Sequence, residues 1–147
     1  MFKKLLSLSA IFVLCFAFTS CKKEEGCTDK NATNYSVDAE EDDGTCTFDG
    51  SGLIWYDQTV STLLVSNGIS SLAFYIDGIL VGSTAASVYW TSQPTCGDNG
   101  SITFDKSLGL VKSKSFSYQV TDDQGVTIWS GNINIDANSC SRLQLVP

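Results

Sequence analysis

The sequence predicts an all-β protein, an immunoglobulin-like β-sandwich of about seven or eight antiparallel strands in residues 50–147. Three observations lead there. Apolar and polar residues alternate in short runs, as in Leu72, Phe74 and Ile76 against Ala73, Tyr75 and Asp77. Turn signals separate the runs: Asp77-Gly78, Gly97-Asp98-Asn99-Gly100 and Asp122-Asp123-Gln124-Gly125. No stretch beyond residue 20 shows a sustained 3.6-residue period with caps. A small barrel is the alternative.

The chain opens differently. Lys3 and Lys4 precede an apolar run from Leu5 to Phe18, followed by the small residues Thr19 and Ser20. This is the layout of a secretory signal peptide over residues 1–20. The run is short of the roughly 20 apolar residues that span a bilayer. Phe18-Thr19-Ser20-Cys21 resembles the lipobox of bacterial lipoproteins, with Phe where Leu is usual. The resemblance implies cleavage before Cys21, acylation of that cysteine, and a membrane partner held through lipid. Two or more acyl chains anchor a protein stably where one does not. Lys22-Lys23-Glu24-Glu25 resembles the surface-export signal of Bacteroidetes-type lipoproteins, which implies an outer-membrane location facing the cell surface; a solvated tether is the plainer reading. Residues 21–25 are therefore read as anchor and tether.

Removing the signal takes away two of nine cations and none of sixteen acids, so the net charge moves from −7 to −9. A polybasic patch for nucleic acid or anionic headgroups is missing from that balance. The chain has six cysteines. Cys15 leaves with the signal and Cys21 takes lipid. The other four allow three pairings. Proximity and composition favour Cys27–Cys46 and Cys96–Cys140. No CxxC pair suggests zinc or dithiol chemistry.

Residues 26–49 form an acidic, cysteine-flanked module. Gly26-Cys27-Thr28-Asp29, Ala32, Asn34-Tyr35, Asp38-Ala39 and Asp42-Asp43-Gly44-Thr45-Cys46 resemble a short repeat of secreted Bacteroidetes-type proteins, written GCTD…A…NY…DA…DDGSC. The resemblance assigns a module, not an activity. Asp29, Asn34, Asp38, Asp42 and Asp43 offer oxygens to a hard cation such as calcium. Counted from Asp38, the sixth position of an EF-hand loop holds Asp43 instead of glycine. The other reading is a disulfide-clipped loop with Asx-turns. A segment this small has little core of its own.

In the β domain, strands are predicted near 52–57, 60–66, 70–76, 79–83, 101–105, 114–121 and 126–135, with a last one at 141–146. Phe74-Tyr75-Ile76-Asp77-Gly78-Ile79-Leu80-Val81-Gly82-Ser83 resembles the core of PEGA-type surface domains, which implies a sandwich with a structural or adhesive role.

With no histidine, the usual general base near neutral pH and the Ser-His-Asp triad are missing, and this domain holds no Glu. A non-catalytic structural, adhesive or accessory binding lipoprotein is therefore expected, with a surface protein or a glycan as partner and no resident cofactor unless calcium. Trp55, Trp90, Trp129 and Tyr75 are the candidate aromatic platform for sugar faces; core packing is the competing role for them.

Overall fold

The structure, a computed structural model, describes residues 22–147. The expected signal peptide (1–20) and Cys21 lie outside the described residues.

The acidic module comes first. Its strands β1 (Glu25–Gly26) and β2 (Glu41–Asp42) pair in parallel. The Cys27–Cys46 disulfide closes it across 19 residues, and Cys96–Cys140 spans 44 residues of the domain. Both expected pairings are present. On the loop-entropy account these closures stabilise by about 3 and about 4 kcal/mol.

Seven strands build the sandwich: β3 (Phe48–Trp55), β4 (Ser71–Ile76), β5 (Ile79–Ala85), β6 (Ile102–Gly109), β7 (Ser113–Asp122), β8 (Thr127–Asp136) and β9 (Cys140–Gln144). One sheet has the order β6-β3-β9, the other β5-β4-β7-β8. Sandwiches share an architecture without sharing a topology. Here the first strand, β3, lies at the centre of its sheet, whereas an immunoglobulin domain puts its first strand at an edge. The β4–β5 turn is the two-residue hairpin expected: Asp77 (φ 49°) and Gly78 (φ 75°) both take the positive φ of a type I′ turn.

Two expectations are corrected. Residues 60–66 are not a strand but most of helix α1 (Gln58–Ser66). The Asp57 carboxylate accepts the Val60 N–H (3.1 Å) and caps its start. Gly68 (φ 80°) closes its end, with Gly68 N–H donating to Val65 O and Ile69 N–H to Leu64 O, each at 3.0 Å. Val60, Ser61 and Leu64 turn inward, and the Ser61 hydroxyl donates to Ala86 O (2.8 Å). Secondly, the strands are not all antiparallel, because β3 and β9 run parallel from Ser51↔Cys140 to Trp55↔Gln144. Strand β8 ends beside the start of β3, and a three-residue turn sends β9 back alongside it in the same direction.

The core lies between the sheets. Leu72, Phe74, Ile76, Phe116, Val120, Ile133 and Ile135 of one face Ile54, Phe104 and Leu108 of the other, with Leu145 just beyond β9. Each such side chain contributes about 1.5–3 kcal/mol when fully buried. Cys27, Ala32 and Phe48 belong to the same core. The module therefore shares the domain's interior, and β3 crosses the sequence division at 49/50 without a break.

Gly50 lets the sheets meet. A Cβ there would run into the Asp136 carbonyl and come within 2.7 Å of the Ile135 side chain. Overpacking of this kind costs about 1–3 kcal/mol. Gly50→Ala should lower the unfolding free energy extrapolated from urea titration by that much, while Ala at Gly82, whose nearest neighbour would be the flexible Ile102 tip at 3.2 Å, should cost clearly less. Equal losses in paired urea titrations would refute this role for Gly50.

Candidate functional site

The end of the sandwich where β3 begins is its base. It gathers the module, the Gly109–Ser113 crossover and the β8–β9 turn. Lys112 joins them. Its ammonium group pairs with Asp29 (2.5 Å) and lies 5.8 Å from the Phe48 ring centroid, and its carbonyl accepts the Ala137 N–H (2.8 Å).

A cleft of about 730 Å³ opens at this base, between the module loop and the β6-β3-β9 sheet. Pairing of β3 with β6 sets Asp49 opposite Ser107 and Ser51 opposite Asp105, so all four share one face. The Ser51 hydroxyl donates to Asp105 Oδ1 (2.6 Å). Asn138 (φ 51°) turns the chain from β8 to β9 and donates its N–H to Asp49 O (2.8 Å). Ser51 N–H donates to Ser139 O (3.0 Å). Lys30, Asn31 and Thr33 supply the module's wall. The lining carries carboxylates, hydroxyls, amides and one free-standing ammonium, without an aromatic ring. Drug-like pockets are mostly apolar; this lining suits a hydroxyl-rich ligand or a polar loop of another protein.

The aromatic candidates do not gather there. Trp55 is corrected from an exposed to a buried residue, at 8% exposure, and its indole N–H has no hydrogen-bond partner. It shares the outward parity of Asp49 and Ser51, but the loop tied down by Cys96–Cys140 crosses this side of the sheet. Trp129 is half-buried: it packs against the core edge and donates its indole N–H to Val146 O (2.9 Å). Trp90 is half-buried in the β5–β6 connection, its backbone N–H on Tyr56 O (3.0 Å). Tyr75 alone has the outward position its alternation predicts, half-exposed on β4.

The candidate cation ligands are engaged in the module's own turns. Asp29 accepts the Asn31 N–H (2.9 Å) besides Lys112. Asn34 donates to Thr45 O and accepts the Thr47 N–H, both at 2.8 Å. Asp42 accepts the Gly44 N–H (3.0 Å), and Asp43 accepts the Thr45 hydroxyl (2.6 Å) and N–H (2.9 Å). Asp38 is exposed. Among the described residues, no three of His, Cys, Asp and Glu are grouped to hold a metal ion. Of the export cluster, Lys22 and Lys23 are exposed, whereas Glu24 is tied down by its carbonyl, which accepts Glu40 N–H (2.8 Å) and Glu41 N–H (3.2 Å). Glu25 is exposed and begins β1.

The cleft residues themselves were not singled out by sequence. Asp49, Ser51, Asp105 and Asn138 are far apart along the chain, and only β3–β6 register and the Asn138 turn bring them together. Comparison with protein families, curated proteins and solved structures finds no match.

Three carboxyls are held below the usual carboxylate range. At Asp29 the hydrogen bond from Lys112 dominates, then that from Asn31 N–H. The Thr45 hydroxyl leads at Asp43. At Asp123 the Ser70 N–H leads, at 3.3 Å. Burial pushes Tyr56 up to about 12, with its hydroxyl on Ala85 O (3.2 Å). The lowered carboxyls stabilise the fold fully above their ordinary value of 3.8, and that stabilisation is lost as pH falls through their folded values. Tyr56 stabilises below its ordinary 10.0, and this is lost as pH climbs toward 12. With no histidine in between, the urea midpoint should stay flat from about pH 5 to 8 and fall below about pH 4. Asp29→Asn should blunt the acid fall; a midpoint that slopes across pH 5–8 would contradict the assignment.

Proposed function

We propose that this chain is a lipid-anchored, surface-facing module of a bacterial outer membrane, with a structural or accessory binding role and no catalysis of its own. The observation that carries the reading is the shared core of Cys27, Ala32 and Phe48 with the sandwich. A lipid on Cys21 would lead after four residues into a unit fused to the domain, so the body is held as one rigid piece on its anchor. The lipobox-like Phe18–Cys21 segment and the exposed Lys22 and Lys23 support the membrane side of the proposal. The polar cleft at the base supports the binding side, with a surface protein or a hydroxyl-rich glycan as occupant. An aromatic sugar platform is not part of it, since Trp55 is buried and Trp129 is half-buried against the core edge with its indole N–H on Val146 O.

Palmitate labelling and fractionation test the anchor. The wild-type chain should incorporate label, sediment with outer membranes and be cut by protease added to intact cells. Cys21→Ala should lose the label and leave the membrane fraction. An unlabelled wild-type protein, or a Cys21→Ala variant that stays in the membrane, would overturn the proposal.

A further inference from the structure

The base carries an apolar tip that nothing in the fold explains. Leu110 is 67% exposed and Val111 49% exposed, side by side in the crossover from β6 to β7. The module adds Val37, 79% exposed, the most exposed large hydrophobic residue described. Crossover residues need not be apolar, and Gly109 (φ 69°) already supplies the turn. The position of this tip is fixed. Val111 precedes Lys112, which is clamped to Asp29 of the module and to the Phe48 ring. Asp29 lies four residues from Glu25, where the ordered ladder begins.

Lys22–Glu25 can extend no more than about 14 Å. An acyl chain on the preceding cysteine would therefore hold the base close against the bilayer, with the Leu110–Val111 tip on the same end of the molecule. We infer that this tip is a second membrane contact, a pair of apolar side chains that enters the headgroup region and fixes the tilt of the body. The occupant is a lipid surface, and the inference rests on the lipid-anchor reading above.

Charge sets the kind of surface. The same end carries Lys22, Lys23, Lys30 and Lys112, but also Glu24, Glu25, Glu40, Glu41, Asp42 and Asp43, with Glu25 directly opposite Glu41 in the ladder. Like charges so placed repel each other and also repel anionic headgroups. The contact is therefore made by apolar burial on zwitterionic lipid, and it weakens on strongly anionic lipid at low salt.

The test uses the full-length lipidated protein in vesicles of zwitterionic phosphatidylcholine and phosphatidylethanolamine. Leu110→Trp adds a reporter at an exposed site, read as the difference from wild type. Its emission should shift to the blue on reconstitution and be lost when the acyl chains are brominated. The shift should shrink when anionic lipid is included at low salt. Leu110→Trp combined with Val111→Asp should show less of both effects. If the protein floats with the vesicles and the added tryptophan keeps its emission in water, the body stands off the bilayer and the inference fails while the anchor holds. A blue shift that follows protein concentration and ignores bromine assigns the tip to a second copy and also refutes it. A protein that neither floats nor carries acyl mass removes the anchor reading and the inference with it.

Discussion

The position of β3 constrains the rest of the molecule. This strand leaves the module at Phe48, pairs antiparallel with β6 on one side and parallel with β9 on the other, and presents Gly50 to the end of β8. Each of these contacts depends on the others. Without room at Gly50 the Asp136 carbonyl could not come close, and the β8–β9 turn could not hang its Asn138 N–H on Asp49 O. Without that turn, Cys140 would not meet Ser51 in register, nor could Cys96 be bridged there across the outer side of the sheet. The cleft at the base is a by-product of the same register, since Asp49, Ser51, Asp105 and Ser107 face one way only because β3 and β6 are aligned as they are.

Rigidity follows from the shared interior. An isolated segment of some twenty residues closed by one disulfide would be a flexible leader. Here Cys27 and Phe48 are 2% and 3% exposed, within the same core as Phe74 and Ile135. Lys112 adds an ion pair across the junction, although exposed pairs of this kind contribute little by themselves. The apolar contacts hold the module in place and the ion pair orients it. A body built this way moves as one piece with its N-terminal module and does not trail from a flexible leader.

Much of this could be read from the chain, for identifiable reasons. Period-two alternation found the strands around Phe74, Phe116 and Ile133 because one face of each is buried and the other wet. Asp77-Gly78 fixed its hairpin because few other residues accept two successive positive φ values. The helix was missed although its signals were present: Asp57 at the cap, and Asn67-Gly68-Ile69 at the end. The β-branched Val60, Thr62 and Val65 between them read as strand, and tertiary burial of Val60 and Leu64 outweighed that propensity. Aromatic residues misled in the opposite direction. Alternation placed Tyr75 correctly, but it could not see the disulfide-held loop over Trp55 or the C-terminal carbonyl that accepts from Trp129. The cleft had no local signal, because its walls come from four separate stretches brought together by β3–β6 register, the Asn138 turn and the docking of the module on the core.

The central claim is that module and sandwich form one cooperative unit through β3. Native-state hydrogen exchange at rising urea tests it most directly. The N–H groups of Thr33, Ser36 and Thr47, each hydrogen-bonded within the module, should exchange through the same global opening as those of Phe74 and Val120, with matching free energies and urea slopes. Exchange of the module amides at low urea, while the Phe74 and Val120 amides remain protected, would show that the module opens independently and would contradict the account.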